Sequence, residues 1–398
     1  MVDGLIVDQQ EFESLCNHIR QTGRVAFDTE FISEHTFRPE LCLLQFATDE
    51  QLVAVDPFAV DDLSPWWDLM LDPGVEVVVH GGQAEVRFCL WATGQAPQSL
   101  TDIQLAEGLR SRSYPLSYSN IVQRVLSRNV HGKETRTDWK RRPLSKRQIA
   151  YALEDVEHVL EIWERQKQSL LALNRFEWAE LEFSRYVDEL ERDNASPGWK
   201  RLNGIHRLHR RELAIAIRLY EWREAEAERR NRPQRRLLRD DILLDIARRK
   251  PRSEADLLAT RDMNRSDYRR AAGDLLQCVQ DALELPDNEL PPVERSERHE
   301  AHQDEQVLGK LLAIALSNRC AEMNVSLQLV GTSADLRDFV RAHLQSGKKS
   351  SGAARLNRGW RAEVCGALLT DLLDGKVSLR VKDLESDHPL VFETVDPD

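Results

Sequence analysis

Two carboxylates stand two residues apart at the end of an early apolar run. The segment VAFDTEF, at 25–31, places Asp28 and Glu30 directly after apolar residues, a pattern that predicts a strand leaving the core. Because side chains alternate along a strand, both acids project from the same face. Two acids on one face repel each other unless a cation or water lies between them. The pair therefore indicates either a cation site or a strand that simply ends in a polar loop.

A second reactive pair lies far downstream on a predicted helix. The segment RPLSKRQIAYALEDVEHVLEIW, at 142–163, has helical apolar spacing, and Ser145 followed by Gln148 forms a capping-box pattern for its start. Tyr151 and Asp155 are four residues apart and therefore share one helical face. Taken alone, the tyrosine is typical of a core edge and the aspartate of a solvated acid. Their combination with the first acidic pair favours a catalytic role.

A third segment holds a lone acid after a glycine pair. VVVHGGQAEVRFC, at 77–89, has the pattern of a buried strand, a turn and the start of a helix that carries Glu85. Most helical glutamates face water. Glycines allow a backbone to approach a phosphate or another element closely, and His80 is either a substrate contact or a structural residue at the strand end. This segment alone does not distinguish a ligand from helix surface.

The elements that must position these residues alternate along the first part of the chain. Strand-length apolar runs occupy 24–30, 41–48, 51–56 and 75–80, and helical patterns occupy about 84–92, 101–110, 119–127 and 145–168. The first three strands are close together in sequence, as in an antiparallel meander. The alternation that follows predicts an α/β layer with a mixed sheet.

Beyond about residue 177 the pattern becomes helical and charged. RDNASPGWKRL at 192–202 and the Pro-rich stretch at 285–306 are candidate linkers. They predict three domains, at 1–190, 203–285 and 301–398. The second is helical throughout, and the third begins with a helix and ends in short mixed elements.

Composition limits the class of protein. A chain of 398 residues can bury two or three cores, and contents of 41 % hydrophobic and 31 % charged residues are typical of a soluble globular protein. No apolar run is long enough to span a membrane, and the N-terminal residues do not resemble a secretory signal. The 6 cysteines are scattered without a C-x-x-C pair. They predict free thiols in a reducing cytoplasm, not a zinc site or disulfide framework.

Charge is distributed unevenly along the chain. The net charge of −12 argues mildly against binding to nucleic acid. Residues 200–252 nevertheless hold 17 Lys and Arg against 8 Asp and Glu. A basic segment in an acidic chain is typical of contact with polyanions.

Five sequence blocks resemble the ribonuclease D family of 3′–5′ exonucleases. FDTEF, HGGQAEVRF, LTDIQLAEGL, KETRTDWKRRPLS and YALED occur in the order and spacing of that family, over about residues 1–185. The next segment is similar to the helicase-and-ribonuclease-D C-terminal (HRDC) domain through IHRLHRRELAIAIRLYEWREAEAERRNRP and LLRDDILLDIARRKP. LNRGWRAEVCGALLTDLLDG, at 356–375, is a weaker second match of that kind. The resemblance implies a mixed-sheet, ribonuclease H-like exonuclease domain, followed by one or two small all-α HRDC-like domains.

The resemblance also implies a metal site and a reaction. Asp28, Glu30, Glu85 and Asp155 would hold two divalent cations, Mg²⁺ or Mn²⁺, with Asp28 bridging them, and Tyr151 would orient the attacking water through a neutral phenol. Such cations stabilise the attacking and leaving oxygens of a phosphodiester, and Mg²⁺ prefers carboxylate and water oxygens. The implied activity is release of nucleoside monophosphates from RNA 3′ ends, as in maturation of tRNA precursors and other stable RNAs. We expect a monomer that acts in the cytoplasm.

One position departs from the family pattern. The second acidic motif of the family carries aspartate where this chain has Glu85, and the extra methylene lengthens the side chain by about 1.5 Å. Normal activity, reduced activity or a preference for Mn²⁺, and a nucleic-acid-binding protein with a defective nuclease site all stay open. We expect an active enzyme because the other four positions are intact. Asp102, in LTDIQ, is an alternative acid that we expect to serve in helix capping or packing.

Basic and aromatic residues near the expected site are candidates for holding a single-stranded 3′ end. Phosphate contacts and base stacking would dominate such binding, and the spacing itself does not exclude DNA. Solvated charged loops and helix-stabilising Glu–Arg pairs are the alternatives. The residues that we expect to contact RNA are Gln45, Lys133, Arg136, Trp139, Arg141, Arg207, Arg210, Arg211, Arg235 and Arg236.

Overall fold

A computed structural model of the chain describes residues 4–130, 137–263, 265–293, 303–345 and 354–395. Lys133 and Arg136, two of the expected RNA contacts, lie outside the described residues. The described ranges form an α/β domain, a helical unit, and a C-terminal segment of helices with a β-hairpin.

A mixed six-stranded sheet forms the centre of the first domain. Its strands are β1 (Leu5–Ile6), β2 (Arg24–Ile32), β3 (Glu40–Ala47), β4 (Leu52–Val55), β5 (Glu76–Val79) and β6 (Leu100–Asp102), in the order β1-β4-β3-β2-β5-β6. β2, β3 and β4 pair antiparallel, and β1–β4, β2–β5 and β5–β6 pair parallel. The predicted meander and mixed sheet are confirmed. β1 and β6 were not predicted, because two or three residues are too few to show a period.

Helices cover both faces of this sheet. They are α1 (Gln9–Thr22), α2 (Ser64–Met70), α3 (Gln83–Thr93), α4 (Ile103–Arg110), α5 (Tyr118–Leu126), α6 (Lys146–Glu157), α7 (Val159–Ala172) and α8 (Phe176–Ala195). On one face Phe27 stacks on Phe46 with ring centroids 5.1 Å apart, and both contact Trp66 of α2. On the other face Ala26 and Ala47 lie in the core beneath α6 and α7. The single helix predicted over 145–168 is two helices in the structure, α6 and α7.

A helical unit follows the first domain. After 3₁₀ turns at Gly198–Arg201 and Ile205–Arg207, it contains α9 (Arg210–Arg229), α10 (Gln234–Leu237), α11 (Asp240–Arg249), α12 (Glu254–Leu258), α13 (Ser266–Arg270) and α14 (Ala272–Glu284). Its apolar side chains form a core of their own. It reaches the first domain through Asn231, whose Oδ1 accepts the Phe37 N–H at 3.1 Å.

The C-terminal segment packs directly against the first domain. Its elements are α15 (Gln303–Glu322), α16 (Leu327–Val330), α17 (Ser333–Gln345), a 3₁₀ turn (Arg355–Asn357), α18 (Gly359–Arg361), a π turn (Ala362–Gly366), α19 (Ala367–Leu373), β7 (Val377–Val381) and β8 (Leu390–Thr394). Trp360 stacks on Trp178 of α8 at 5.5 Å, and Arg361 pairs with the fully buried Glu182 at 2.9 Å. The C-terminal segment and the first domain share one continuous hydrophobic core. Across the described ranges, no helix is both long and apolar enough to cross a membrane.

Candidate active site

Asp28 and Glu30 lie on the part of β2 that extends beyond its parallel neighbour β5. The register between β2 and β5 ends at Ala26 and Val78, so Asp28 and Glu30 extend beyond that pairing. On its other side β2 stays paired with β3, and a bulge follows Glu30. Strand alternation and the ending of β5 thus place both carboxylates at an open end of the sheet.

Helix α6 supplies the tyrosine and the third acid. The predicted capping box is confirmed: Ser145 Oγ accepts the Gln148 N–H at 3.2 Å, and Gln148 Oε1 accepts the Ser145 N–H at 2.9 Å. This cap sets the residue at which the helix starts. Tyr151 and Asp155 interact, as the four-residue spacing allows, and this interaction raises the pKa of the tyrosine and opposes the rise in the pKa of Asp155.

The turn before α3 needs both of its glycines. Gly81 has a φ of 69°, and a Cβ on Gly82 would lie 2.4 Å from Val79 Cγ2. The carboxylate of Asp102 accepts the N–H groups of both glycines at 3.0 and 3.2 Å, and it also accepts the Gln104 N–H at 2.8 Å as the cap of α4. Of the two roles that we expected for Asp102, helix capping or packing, the capping role is confirmed. The same turn sets the start of the helix that carries Glu85.

His80, at the end of β5, has a structural partner. Its Nε2 lies 2.9 Å from the carbonyl oxygen of Leu116, and its ring packs edge-on against Tyr118 with centroids 5.7 Å apart. Of the two roles considered from the sequence, these contacts favour the structural one.

Glu85 is not helix surface. Its side chain is only 4 % exposed, and its Oε1 accepts a hydrogen bond from the Thr29 hydroxyl at 2.6 Å. Thr29 stands between the two acids of β2. The contact brings the second-motif carboxylate to the strand that carries the first motif, although 56 residues separate them.

Burial raises the pKa of all four carboxyl groups, and the charges of neighbouring acids add to the rise. Burial, followed by the charges of Glu85 and Asp155, raises the pKa of Asp28 well above its usual value. Burial is also the main cause for the others, whose pKa values rise to about 8 for Glu30, 7 for Glu85 and 6 for Asp155. Hydrogen bonds from Thr29 and Tyr151 oppose the rise at Glu85 and Asp155 respectively. The cluster would therefore be stabilised by a compensating positive charge.

The donor atoms of the cluster suit a hard divalent cation. All four groups offer carboxylate oxygens, the ligand type that Mg²⁺ and Mn²⁺ prefer. Within the described ranges, no three His, Cys, Asp or Glu side chains already form a coordination sphere. The residues thus fit such cations in chemistry and charge, and the carboxylates would have to draw together around them.

An open cleft of about 740 Å³ leads to the cluster. Glu30, His35, Trp139 and Tyr151 line part of its wall. Trp139 packs beside Tyr151 with ring centroids 6.2 Å apart and is only 5 % exposed. The cleft can admit the end of a polynucleotide chain, with the ring edge of Trp139 in its wall.

Three expected RNA contacts are buried or hydrogen-bonded within the protein. Gln45 has 0 % exposure, so RNA does not reach it in this conformation. Arg210 donates to the carbonyls of Asp287 and Leu290 at 3.0 and 2.8 Å. Arg211 donates to the carbonyl of Ala282 and forms an ion pair with Asp287 at 2.6 Å. These two arginines fasten the end of α14 to the start of α9.

Other basic residues remain accessible. Arg141 and Arg207 are exposed. The side chain of Arg235 is 83 % exposed and lies 3.2 Å from Asp240. Arg236 reaches across to the first domain, where its Nη2 lies 3.1 Å from His35 Nδ1. The helical unit therefore places a guanidinium at the rim of the cleft.

Sequence reasoning missed two residues of the site. Thr29 donates to Glu85, and the Tyr118 hydroxyl accepts the His158 N–H at 3.2 Å where the charges of Asp155 and Asp28 reach it. Neither residue has a spacing that distinguishes it from an ordinary strand or helix position. Only the position of Thr29 between two functional acids could have drawn attention to it.

Comparisons with known proteins agree with this geometry. A family model described as a 3′–5′ exonuclease matches residues 5–170, and one described as an HRDC domain matches residues 212–279. The chain is 32 % identical to the ribonuclease D of Sphingobium indicum over 386 residues, covering 95 % of this chain and 96 % of the relative. It is 30 % identical to that of Zymomonas mobilis with the same coverage.

Solved structures give the same result. The crystal structure of Escherichia coli RNase D, described as an exoribonuclease involved in structured RNA processing, has a TM-score of 0.79 and 25 % identity. The match covers 93 % of this chain and 98 % of that one. A protein from Bifidobacterium adolescentis, 21 % identical, shares the fold with a TM-score of 0.66. With its acidic cluster, its matched exonuclease domain and relatives that span nearly its whole length, the chain belongs to the ribonuclease D family of 3′–5′ exoribonucleases.

Proposed function

We propose that this 3′–5′ exoribonuclease releases nucleoside monophosphates from RNA 3′ ends with two divalent cations held by Asp28, Glu30, Glu85 and Asp155. The observation that carries the proposal is the 2.6 Å contact between Glu85 and Thr29, which brings the carboxylate of α3 to the strand of Asp28 and Glu30. The charges of Glu85, Asp155 and Glu30, together with burial, raise the pKa of Asp28. The charges of acids from β2, α3 and α6 thus reach Asp28 at the end of β2, beside an open cleft. A purely structural core would have little reason to concentrate such repulsion.

Cations bound there would supply the positive charge that stabilises the attacking and leaving oxygens of the scissile phosphodiester. The residues of the chain do the remaining work. Tyr151 keeps its proton, because burial and the neighbouring carboxylates raise the pKa of its phenol. That phenol shares one face of α6 with Asp155, and with substrate present it orients the attacking water.

Exposed arginine side chains outside the cleft hold the RNA strand. Arg141, Arg207, Arg235 and Arg236 bind phosphates, which gives affinity without sequence readout and makes binding weaken as salt rises. Arg236 indicates where the RNA strand passes between the units, because its contact with His35 connects the helical unit to the rim of the cleft. Structured RNA with a single-stranded 3′ tail, such as a tRNA precursor, fits a catalytic cleft beside a separate basic unit.

A second cleft of about 700 Å³ supports a path between the two units. Arg38, Arg87 and Arg201 line it, together with Asp193 and Glu224. Its cationic side chains come from both units, so a phosphate backbone can be held between them.

We propose that the enzyme acts as a monomer in the cytoplasm, and that segment 301–398 is a divergent second HRDC-like domain.

Hydrolysis of matched labelled substrates tests the proposal. RNA and DNA of the same sequence, labelled at the 3′ end, are incubated with the full chain and Mg²⁺ or Mn²⁺. Release of labelled nucleoside monophosphate from RNA is expected, and Asp28→Asn should abolish it. Asp49→Asn is the matched control, because Asp49 is an exposed acid paired with Arg24 at 3.2 Å. Faster hydrolysis of DNA would favour a DNA exonuclease. Binding without hydrolysis under either cation would favour a binding protein.

A further inference from the structure

Gln45 occupies an unusual place beside the acidic cluster. It pairs directly with Asp28 across the β2–β3 ladder, and residues opposite each other in an antiparallel pair project from the same face, with Cβ atoms roughly 4.5–5.5 Å apart. The side-chain amide of a glutamine can span that separation. Gln45 is therefore within reach of the carboxylate expected to bridge two cations.

The amide of Gln45 is fully buried, and neither of its polar atoms is satisfied. Its exposure is 0 %, and neither Nε2 nor Oε1 has a hydrogen-bond partner among the described residues. Leu43 and Ala47, which alternate with it on the same face, lie in the apolar clusters beneath α6. Burying an amide without a partner opposes folding. Leucine or methionine would fill this position without that penalty, so packing alone does not account for glutamine.

Asp28 has the complementary need. Its Oδ1 accepts the Thr29 N–H at 2.9 Å, and within the described ranges its Oδ2 accepts no hydrogen bond. A carboxylate that binds a cation must hold a fixed orientation, and such ligands are usually hydrogen-bonded in turn by neighbouring residues. The cross-strand amide is the neighbour best placed to provide that bond.

We propose that Gln45 is a positioning residue, whose Nε2 donates a hydrogen bond to the Asp28 carboxylate when a cation draws that carboxylate into place. The inference rests on the proposed role of Asp28 as a cation ligand. It adds a specific reason for a polar residue in an apolar layer. It also replaces the RNA contact that the sequence had suggested for Gln45.

The test compares Gln45→Met with the wild-type chain. Mn²⁺ binding to the full chain is measured by isothermal titration calorimetry without RNA, and thermal unfolding is followed without cation. Because losing a ligand's supporting hydrogen bond typically weakens metal affinity or activity by about 10–100-fold, we expect Mn²⁺ binding and kcat to fall within that range. KM for RNA should stay nearly constant, and the cation-free protein should be as stable as wild type or more so. Gln45→Asn, which keeps an amide with a shorter reach, should restore part of the affinity.

Gln166→Met is the matched control, because Gln166 is also fully buried but lies away from the acids. Its Nε2 donates to Ile103 O and to Glu107 Oε2, both at 3.0 Å. Its loss should lower the unfolding temperature and leave Mn²⁺ affinity unchanged. If Gln45→Met behaves like this control, or like wild type in every measurement, the inference is overturned while the proposed function stands. If wild-type protein binds no divalent cation, both are overturned.

Discussion

Thr29 and Glu85 form a hydrogen bond on the side of strand β2 that faces away from Asp28 and Glu30. The Thr29 hydroxyl donates to Glu85 Oε1 at 2.6 Å, and strand alternation turns Thr29 away from the face that carries Asp28 and Glu30. Helix α3 therefore meets the strand from one side and α6 from the other. The candidate active site is assembled around the end of β2 and not on a single face of the sheet.

Removing this hydroxyl should alter the pH dependence of hydrolysis. Thr29→Val keeps the side-chain shape but leaves Glu85 without its donor, so the pKa of Glu85 should rise above about 7. We expect kcat at pH 7 to fall about 10-fold, with recovery at higher pH. A pH–rate profile measures this shift. Thr101→Val is the control, because Thr101 donates to Glu76 at 3.2 Å, and a similar shift in that variant would contradict the assignment.

Shortening Glu85 should slow the enzyme, although aspartate is the residue of the family pattern. The carboxyl group of Glu85→Asp would withdraw by about 1.5 Å, which breaks the 2.6 Å contact with Thr29. We expect slower hydrolysis with Mg²⁺ and a smaller loss with Mn²⁺, measured as kcat with each cation. A faster variant would instead show that the natural glutamate limits the site.

Loss of the Tyr151 hydroxyl should affect the chemical step more than RNA binding. Tyr151→Phe removes the hydroxyl that would orient water and that opposes the rise in the pKa of Asp155. We expect kcat to fall about 10²-fold, within the range for a positioned proton-transfer or orienting group, and KM to change little. Tyr268→Phe is a buried control in the helical unit. Equal losses in the two variants would assign the effect to packing.

Protein without divalent cations should lose stability as pH rises. The folded carboxyl groups have pKa values raised to about 6, 7 and 8 for Asp155, Glu85 and Glu30. The folded state therefore holds more protons than the unfolded state between about pH 4.5 and 8, and stability falls by about 1.4 kcal/mol per pH unit for each extra proton. Urea unfolding with a chelator measures the slope. Mn²⁺ should restore the stability lost at pH 8, and a flat profile would contradict the cluster.

The arginines of the helical unit should separate into two groups. Arg235→Gln and Arg236→Gln should weaken RNA binding and reduce its salt slope by about one phosphate contact each, without lowering the unfolding temperature. Arg210→Gln and Arg211→Gln should instead destabilise the unit by about 0.5–1.5 kcal/mol, because each removes hydrogen bonds to part-buried carbonyls. Salt-dependent binding assays and thermal unfolding test this division. The opposite pattern would return the RNA-binding role to the second pair.

Local patterns predicted the parts of the site that repeat with a period. Alternation along a strand paired Asp28 with Glu30, helical spacing paired Tyr151 with Asp155, and the capping box at Ser145 set the helix start. These relations span four residues or fewer, so short-range geometry determines them.

Relations between distant residues could not be obtained in that way. The contact between Thr29 and Glu85, the burial of Gln45 and the carbonyl partners of Arg211 depend on which elements meet in three dimensions. A charged or polar residue has the same local sequence signature whether it faces RNA, solvent or a buried carbonyl. The break between α6 and α7 was missed for a related reason, because both helices bury the same kind of apolar stripe.

The shared core of the first domain and the C-terminal segment sets an order of events during synthesis. The face of α8 that carries Trp178 and Glu182 is completed by Trp360 and Arg361, whereas the helical unit between them has its own core. That middle unit can fold as soon as it leaves the ribosome. The catalytic domain keeps an apolar face and a buried acid uncovered until Trp360 and Arg361 have been made, so its maturation depends on residues that are synthesised after the whole middle unit.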